Sequence, residues 1–406
     1  MMDYSFLFSD DVQVMEYSAI RRMAKLAMQP GIISFSGGFP SAETFPVTEI
    51  RDVTASILET EGKAALQYGM TLGHSGLHEV VLECVQARGI PDAALNQIAI
   101  TSGSQQALDL LGRLFINPGD CVFFELPSYV GAIAAFRNLR AKLVGVRQQL
   151  DGIDLADLAR QVDQERRQNG RPKILYLVPN FQNPSGVTLS QEKRRQLMEL
   201  CNRENLVVIE DDPYGEIYFD STVVSRLKPL RSMDPEGRVI YLSTFSKILC
   251  PGLRTGWVLA SPLVIEKLDL AKQAADLCGS MLDQRIVAEC WKRGIIQNRL
   301  PEIRSFYRKR CNVMLGALRE FMPAGISWTE PLGGLFIWMT LSERLNSELL
   351  LNASLEQAGV SFVIGPPFFV NREGSNTLRL AFSKESEDNI ALGIEKLAQV
   401  IRHHLS

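Results

Sequence analysis

Residues 206–214 read Leu-Val-Val-Ile-Glu-Asp-Asp-Pro-Tyr, and residues 239–247 read Val-Ile-Tyr-Leu-Ser-Thr-Phe-Ser-Lys. Each is a short, nearly continuous apolar run that ends abruptly in polar residues. Such runs mark strands covered on both faces, because neither face has to alternate toward water. Five more share the texture: 97–101 (QIAIT), 121–125 (CVFFE), 142–146 (KLVGV), 174–178 (ILYLV) and 257–260 (WVLA). Helical patterns, such as those at 104–116 and 190–204, lie between most of them. Repeated strand–helix alternation implies a sheet with helices on both faces. The expected fold is therefore α/β, a mainly parallel seven-stranded sheet flanked by helices.

Outward from this centre the texture changes. Residues 15–29 (MEYSAIRRMAKLAMQ) have the spacing of an amphipathic helix stopped by Pro30-Gly31, and the Gly- and Pro-rich segment SFSGGFPSAETFP follows at 34–46. Helices are expected at 47–60 and 75–88. Beyond about residue 262 the pattern is helical to about 322. Strands then return at 335–341 and 376–382, with helices near 346–358 and 386–404, as a smaller α+β unit. The reading divides the chain into an N-terminal arm with part of the small domain (1–46), a large domain (47–300) and a C-terminal small domain (301–406).

Composition narrows the function. The chain has 43 basic and 46 acidic residues, a net charge of −3, which argues against nucleic acid as a partner. No apolar run approaches the roughly 18 residues that a membrane span needs. The seven cysteines (Cys84, Cys121, Cys201, Cys250, Cys278, Cys290 and Cys311) are odd in number, scattered and without a C-x-x-C pair. They read as reduced thiols, and with no signal-peptide pattern at Met1-Met2-Asp3-Tyr4 a cytoplasmic location is expected. His74 and His78 are four apart with Glu79 nearby, but there is no H-E-x-x-H and no third ligand at useful spacing, so no metal is expected.

In open parallel sheets, ligands bind beyond the carboxyl ends of the strands. Five such ends carry Ser102-Gly103-Ser104-Gln105-Gln106, Pro127-Ser128-Tyr129, Asn180-Phe181-Gln182-Asn183-Pro184, Asp211-Asp212-Pro213-Tyr214, and Thr244-Phe245-Ser246-Lys247 with Arg254 downstream. A small-residue turn into a helix suits a phosphate, and so does the fork of Arg254. Tyr129 offers a face to a flat ring. A carboxylate such as Asp211 keeps a ring nitrogen protonated, and the Lys247 amine can condense with an aldehyde. Phosphate, flat ring, basic ring nitrogen and aldehyde together describe pyridoxal phosphate (PLP).

The segments TSGSQQAL (101–108), ELPSY (125–129), PNFQNPSG (179–186), EDDPY (210–214), STFSK (243–247), GLRTGW (252–257) and LRLAFS (378–383) resemble, in order, those of the class I/II, fold-type I PLP-dependent aminotransferases. The segment SAIRRMAKLA (18–27) followed by PGIISFSGGFP resembles the branch that holds 2-aminoadipate, kynurenine and aromatic amino-acid aminotransferases.

The resemblance implies roles. Lys247 is the residue that links to the cofactor aldehyde and then acts as general base and acid. Asp211, selected over its neighbours Glu210 and Asp212, pairs with the ring nitrogen. Asn183 and Tyr214 bond the phenolate oxygen, and Tyr129 stacks on the ring. Ser104, Gln105, Thr244, Ser246 and Arg254 hold the phosphate. Tyr68, in Gln67-Tyr68-Gly69, reaches the phosphate in the neighbouring subunit, which implies a homodimer with shared active sites. Arg379 binds the substrate α-carboxylate, with Asn183 beside it, and Gly38 lies in a loop closing over the substrate. Arg21, or the adjacent Arg22, meets the distal carboxylate of a dicarboxylic donor. From the residues alone, Arg379 also suits a solvent-facing position, because it alternates with Leu378, Leu380 and Phe382.

The implied activity moves an amino group from an L-amino acid (2-aminoadipate, aromatic or other) to a 2-oxo acid such as 2-oxoglutarate, with ping-pong kinetics. A lyase or decarboxylase on the same scaffold is the alternative. A regulator with an aminotransferase-like domain would need a winged-helix module, for which the residues ahead of Ser34 are too few. A nucleotide enzyme would need G-x-G-x-x-G after a strand or G-x-x-x-x-G-K-[ST], and neither occurs.

Overall fold

All seven apolar runs lie in one sheet. The computed structural model describes residues 2, 4–9, 12, 15 and 31–405. Apart from Met15, the helix expected over 15–29, with Arg21 and Arg22, lies outside the described residues.

A short first strand, β1 (Ile33–Ser34), is followed by β2 (Ile98–Thr101), β3 (Asp120–Leu126), β4 (Lys142–Gln149), β5 (Gly152–Ile153), β6 (Arg171–Leu177), β7 (Val207–Asp211), β8 (Val239–Thr244) and β9 (Gly256–Leu259). The main sheet runs β2-β9-β8-β7-β6-β3-β4-β5. Pairing is parallel from β8 through β7, β6 and β3 to β4, and β9 is antiparallel to both its neighbours. The sheet thus has eight strands, not seven. The eighth, β5, is two residues antiparallel to the end of β4, too short to carry a periodic pattern.

The sheet sorts its residues by parity, as a pleated strand must. Phe123, Leu175 and Val208 enter one apolar cluster. Phe124, Tyr176 and Ile209 enter the other. Two of the helices between strands begin where a side chain takes a free amide. Asp154 accepts from Asp157 N ahead of the helix Leu155–Arg167, and Ser190 accepts from Lys193 N ahead of Gln191–Arg203.

Beyond the sheet come the helices Pro262–Ala275, Met281–Lys292 and Ile295–Phe321. The last is continuous through residues 300 and 301, where the domain divide is expected. A second sheet follows, made of β10 (Ser327–Trp328), β11 (Phe336–Thr340), β13 (Val363–Ile364) and β14 (Thr377–Ala381), in the order β10-β11-β14-β13 and fully antiparallel. The strand between them in sequence, β12 (Val360–Ser361), pairs in parallel with β1. The N-terminal segment is thereby joined to the C-terminal unit, and Ala381 N donates to Phe35 O at 2.9 Å. No helix among the described residues is long and apolar enough to cross a membrane. The seven cysteines are all free thiols.

Candidate active site

Three consecutive acids end β7, and their surroundings tell them apart. Glu210 points to the face opposite Ile209. Its oxygens accept from Leu230 N (2.8 Å) and Arg231 N (3.0 Å), and Arg194 lies 4.0 Å away. Asp212 accepts from Arg88 Nη2 (2.7 Å), Asn180 Nδ2 (2.9 Å) and Tyr241 Oη (3.1 Å). Both are fully engaged in holding the fold. Asp211 accepts one bond, from Tyr176 Oη to its Oδ2 at 2.9 Å, and its Oδ1 is buried with no partner. Burial raises its pKa to about 7. The Tyr176 bond works against that shift, and Asp212 adds to it.

Lys247 closes the short turn Phe245–Lys247 after β8. Thr244 fixes the turn: its hydroxyl donates to Thr255 O at 2.8 Å and accepts from Ser246 N at 3.1 Å. Lys247 Nζ lies 5.8 Å from the Tyr214 ring centroid. Burial lowers the amine's pKa to about 8, with Arg254 and Arg379 pushing the same way and Asp211 opposing. A lysine so placed is readily deprotonated, the state in which it attacks an aldehyde or takes a proton.

Arg379 is 1% exposed, which corrects the solvent-facing reading. All five residues of β14 are buried, because both faces of this strand are covered. Arg379 Nη1 donates to Asn183 Oδ1 and Nη2 to Ser36 O, both at 2.9 Å. The guanidinium carbon lies 4.4 Å from the Phe336 ring centroid and 5.3 Å from that of Phe368. No carboxylate pairs with it among the described residues, its Nε is buried without a partner, and burial lowers its pKa to about 10. A buried arginine lacking its anion is a site for one. Asn183 also hydrogen-bonds Tyr214, whose phenol is pushed well up by burial. A Cβ on Gly38 would lie 3.4 Å from both terminal nitrogens of Arg379, so glycine keeps that approach open.

Strand register builds the phosphate-sized end. Thr101 pairs with Gly256, and Gly256 pairs with Thr244. The turns following β2 and β8 therefore lie side by side. Gly103 has φ of 77°, and a Cβ there would meet Arg254 Nη2 at 2.6 Å. Ser104 opens the helix Ser104–Phe115 with its Oγ buried and unpartnered. Arg254 Nη2 donates to Ser102 O at 3.2 Å, and the Ser246 hydroxyl lies 2.8 Å from Thr244 Oγ1. Gln105 is exposed; it donates to Gly131 O (3.0 Å) and accepts from Tyr129 Oη (3.2 Å), which ties Tyr129 to this rim.

Two expected residues stand apart. Tyr68 is 79% exposed, outside the cluster of its own chain. Arg21, like Arg22, lies outside the described residues. Two others were not anticipated. Tyr176 sits inside an apolar run and reads as plain core. Arg88 gave no signal, since its partners Asp212, Gly215 O, Glu216 and Leu227 O are far away in sequence.

The unpartnered buried atoms match in kind the groups that PLP would bring: Asp211 Oδ1 could accept from a ring N–H, and Ser104 Oγ with the helix start could donate to a phosphate. The donor set fits that cofactor. Comparison with known proteins agrees. Residues 30–397 match the family model "Aminotransferase class I and II". The chain is 41% identical to aromatic-amino-acid aminotransferase 1 of Thermococcus litoralis, over 100% of this chain and 96% of that one. It is 40% identical to 2-aminoadipate transaminase of Thermus thermophilus, over 99% and 98%. The crystal structure of Pyrococcus horikoshii kynurenine aminotransferase, in complex with PMP, superposes with a TM-score of 0.95 at 40% identity, covering 100% of this chain and 99% of that one. The chain belongs to the class I and II aminotransferases, and it is a PLP-dependent enzyme that transfers amino groups between amino acids and 2-oxo acids.

Proposed function

We propose that the amino donor is an L-amino acid of the 2-aminoadipate or aromatic type and that the acceptor is a 2-oxo acid such as 2-oxoglutarate. The names of the Thermococcus and Thermus relatives support that range. One observation carries the site assignment: a half-buried lysine lies near a buried carboxylate with an unpartnered oxygen and a buried arginine that no carboxylate among the described residues pairs with.

When bound, PLP supplies an electron sink for the pair left at the substrate Cα. The rest is the work of the chain. Arg379 takes the substrate α-carboxylate in its planar fork, and Asn183, Ser36 O, Phe336 and Phe368 hold that fork still. Lys247, as a neutral amine, would take the proton from the substrate Cα and then give it up again, first as base and then as acid. Asp211 would keep the ring nitrogen protonated through Oδ1. Asn183 and Tyr214 would bond the phenolate oxygen, and Tyr129 would cover the ring. Ser104, Gln105, Thr244, Ser246 and Arg254 would hold the phosphate. Gly38 leaves room for the substrate beside Arg379. Clamping the carboxylate would fix which bond at the substrate Cα is aligned for cleavage, so orientation would carry much of the rate.

The active form is proposed to be a homodimer in which Tyr68 serves the partner's phosphate. Its 79% exposure, with Met70 at 76% and Leu66 at 72% beside it, supports an interface there. Residues 1–46 would form an N-terminal arm and part of the small domain that 301–406 complete; the β1–β12 pairing supports the contribution of the segment around Ile33–Ser34. The unpaired cysteines support a reducing, cytoplasmic location. A panel of amino donors with 2-oxoglutarate as acceptor tests the substrate reading. Turnover of 2-aminoadipate or aromatic donors above the other amino acids is expected, and a flat or absent response overturns it. Arg21→Ala is expected to weaken dicarboxylic donors and spare apolar ones; equal losses end the Arg21 proposal.

A further inference from the structure

Asp211 receives one hydrogen bond among the described residues, and its donor is Tyr176. Tyr176 is fully enclosed, with its ring centroid 5.4 Å from that of Phe124 and 6.2 Å from that of Phe136. If packing were its only task, phenylalanine would serve with no buried hydroxyl to satisfy. A phenol has a single proton to donate, and here it goes to Asp211 Oδ2. The adjacent Asp212 is treated differently, with three donors that include a guanidinium.

We propose that Tyr176 is a positioning residue for Asp211: by occupying Oδ2 it sets the carboxylate's rotation so that Oδ1 faces the cofactor ring nitrogen, and it favours the ionised carboxylate. Burial and the neighbouring Asp212 both favour the neutral acid; the Tyr176 bond and, more weakly, the Lys247 charge oppose them. Two phenols thus bond adjacent acids: Tyr241 one that Arg88 already compensates, and Tyr176 one whose carboxylate receives no other bond among the described residues. The inference rests on Asp211 as the partner of the ring nitrogen.

Tyr176→Phe keeps the ring and deletes one hydroxyl. Cofactor-free protein is titrated with PLP by absorbance across the neutral pH range. Weakening on the order of tenfold is expected, with the pH dependence of binding moved upward by about one unit, since a hydrogen bond to a charged group is lost. Tyr241→Phe removes an equally buried phenol from Asp212 and is expected to leave affinity and profile as in the native protein. Native behaviour in Tyr176→Phe, or the same change in Tyr241→Phe, overturns the proposal. Should Tyr176→Phe fail to fold, 3,5-difluorotyrosine at position 176 donates more strongly in nearly the same shape. It is expected to move the profile downward, and an unmoved profile overturns the proposal. Asp211→Asn separates the two levels. Unchanged PLP affinity there removes the ring-nitrogen assignment. Weakened affinity there with native behaviour in Tyr176→Phe removes only the role of Tyr176.

Discussion

Asp211 costs the cofactor-free protein stability, and the sign can be worked out. Its carboxyl titrates near 3.8 in an ordinary setting and at about 7 when buried here. Between those values the folded state binds more protons than the unfolded state. Stability therefore falls as pH rises from about 4 to about 7, and above that the whole penalty is present. Cofactor-free Asp211→Asn should then melt above cofactor-free native protein at pH 8, with the gap closing toward pH 4. Thermal unfolding at both pH values checks this, and an equal or lower melting temperature at pH 8 contradicts it. Such a trade of stability for function is common where a charge is kept buried for a ligand. Lys247 and Asp211 were legible as candidates in the sequence because each terminates an apolar run within a motif. Tyr176 was not, because a tyrosine inside Ile-Leu-Tyr-Leu-Val looks like core, and its distinguishing contact is 35 residues away in sequence. Arg379 was placed in the right strand but its burial was open, since alternation does not reveal that both faces of a strand are covered.

At the scale of elements, three neighbouring strands do the positioning. Thr101, Gly256 and Thr244 lie abreast, so the turns after β2 and β8 meet at one end of the sheet. Gly256 is what lets them approach: a Cβ there would lie 3.0 Å from Gly103 C, Gly103 Cα and Ser104 N. These are backbone atoms and cannot swing aside. Gly256→Ala should cost about 1–3 kcal/mol by forcing the turn away, and PLP affinity should fall by roughly tenfold or more. A PLP titration of the cofactor-free variant reads this directly, and native affinity would show that the turn has slack. Six of the seven longer strands were legible because burial on both faces writes itself as a continuous apolar run; β4, near the edge of the sheet, instead alternates buried residues with half-buried and exposed ones. The two-residue β5 was not, because pairing alone defines it.

The whole molecule brings residues from distant parts of the chain to one place: Ser36 and Gly38 near its start, Lys247 in the main sheet, Arg379 near its end. Tyr68 stays exposed and outside that cluster, as the proposed sharing of the site between two subunits requires. Two inactive variants, Lys247→Ala and Tyr68→Ala, should complement when unfolded and refolded together, because a mixed dimer carries one site with both native residues. About a quarter of native activity is expected from random pairing of equal amounts, and none would contradict a shared site. Beneath all of this lies the covalent attachment of PLP at one lysine. Reduction of the PLP-loaded enzyme with borohydride, followed by peptide mass spectrometry, should find the pyridoxyl group on Lys247; finding no adduct, or finding it on another lysine, would contradict the account.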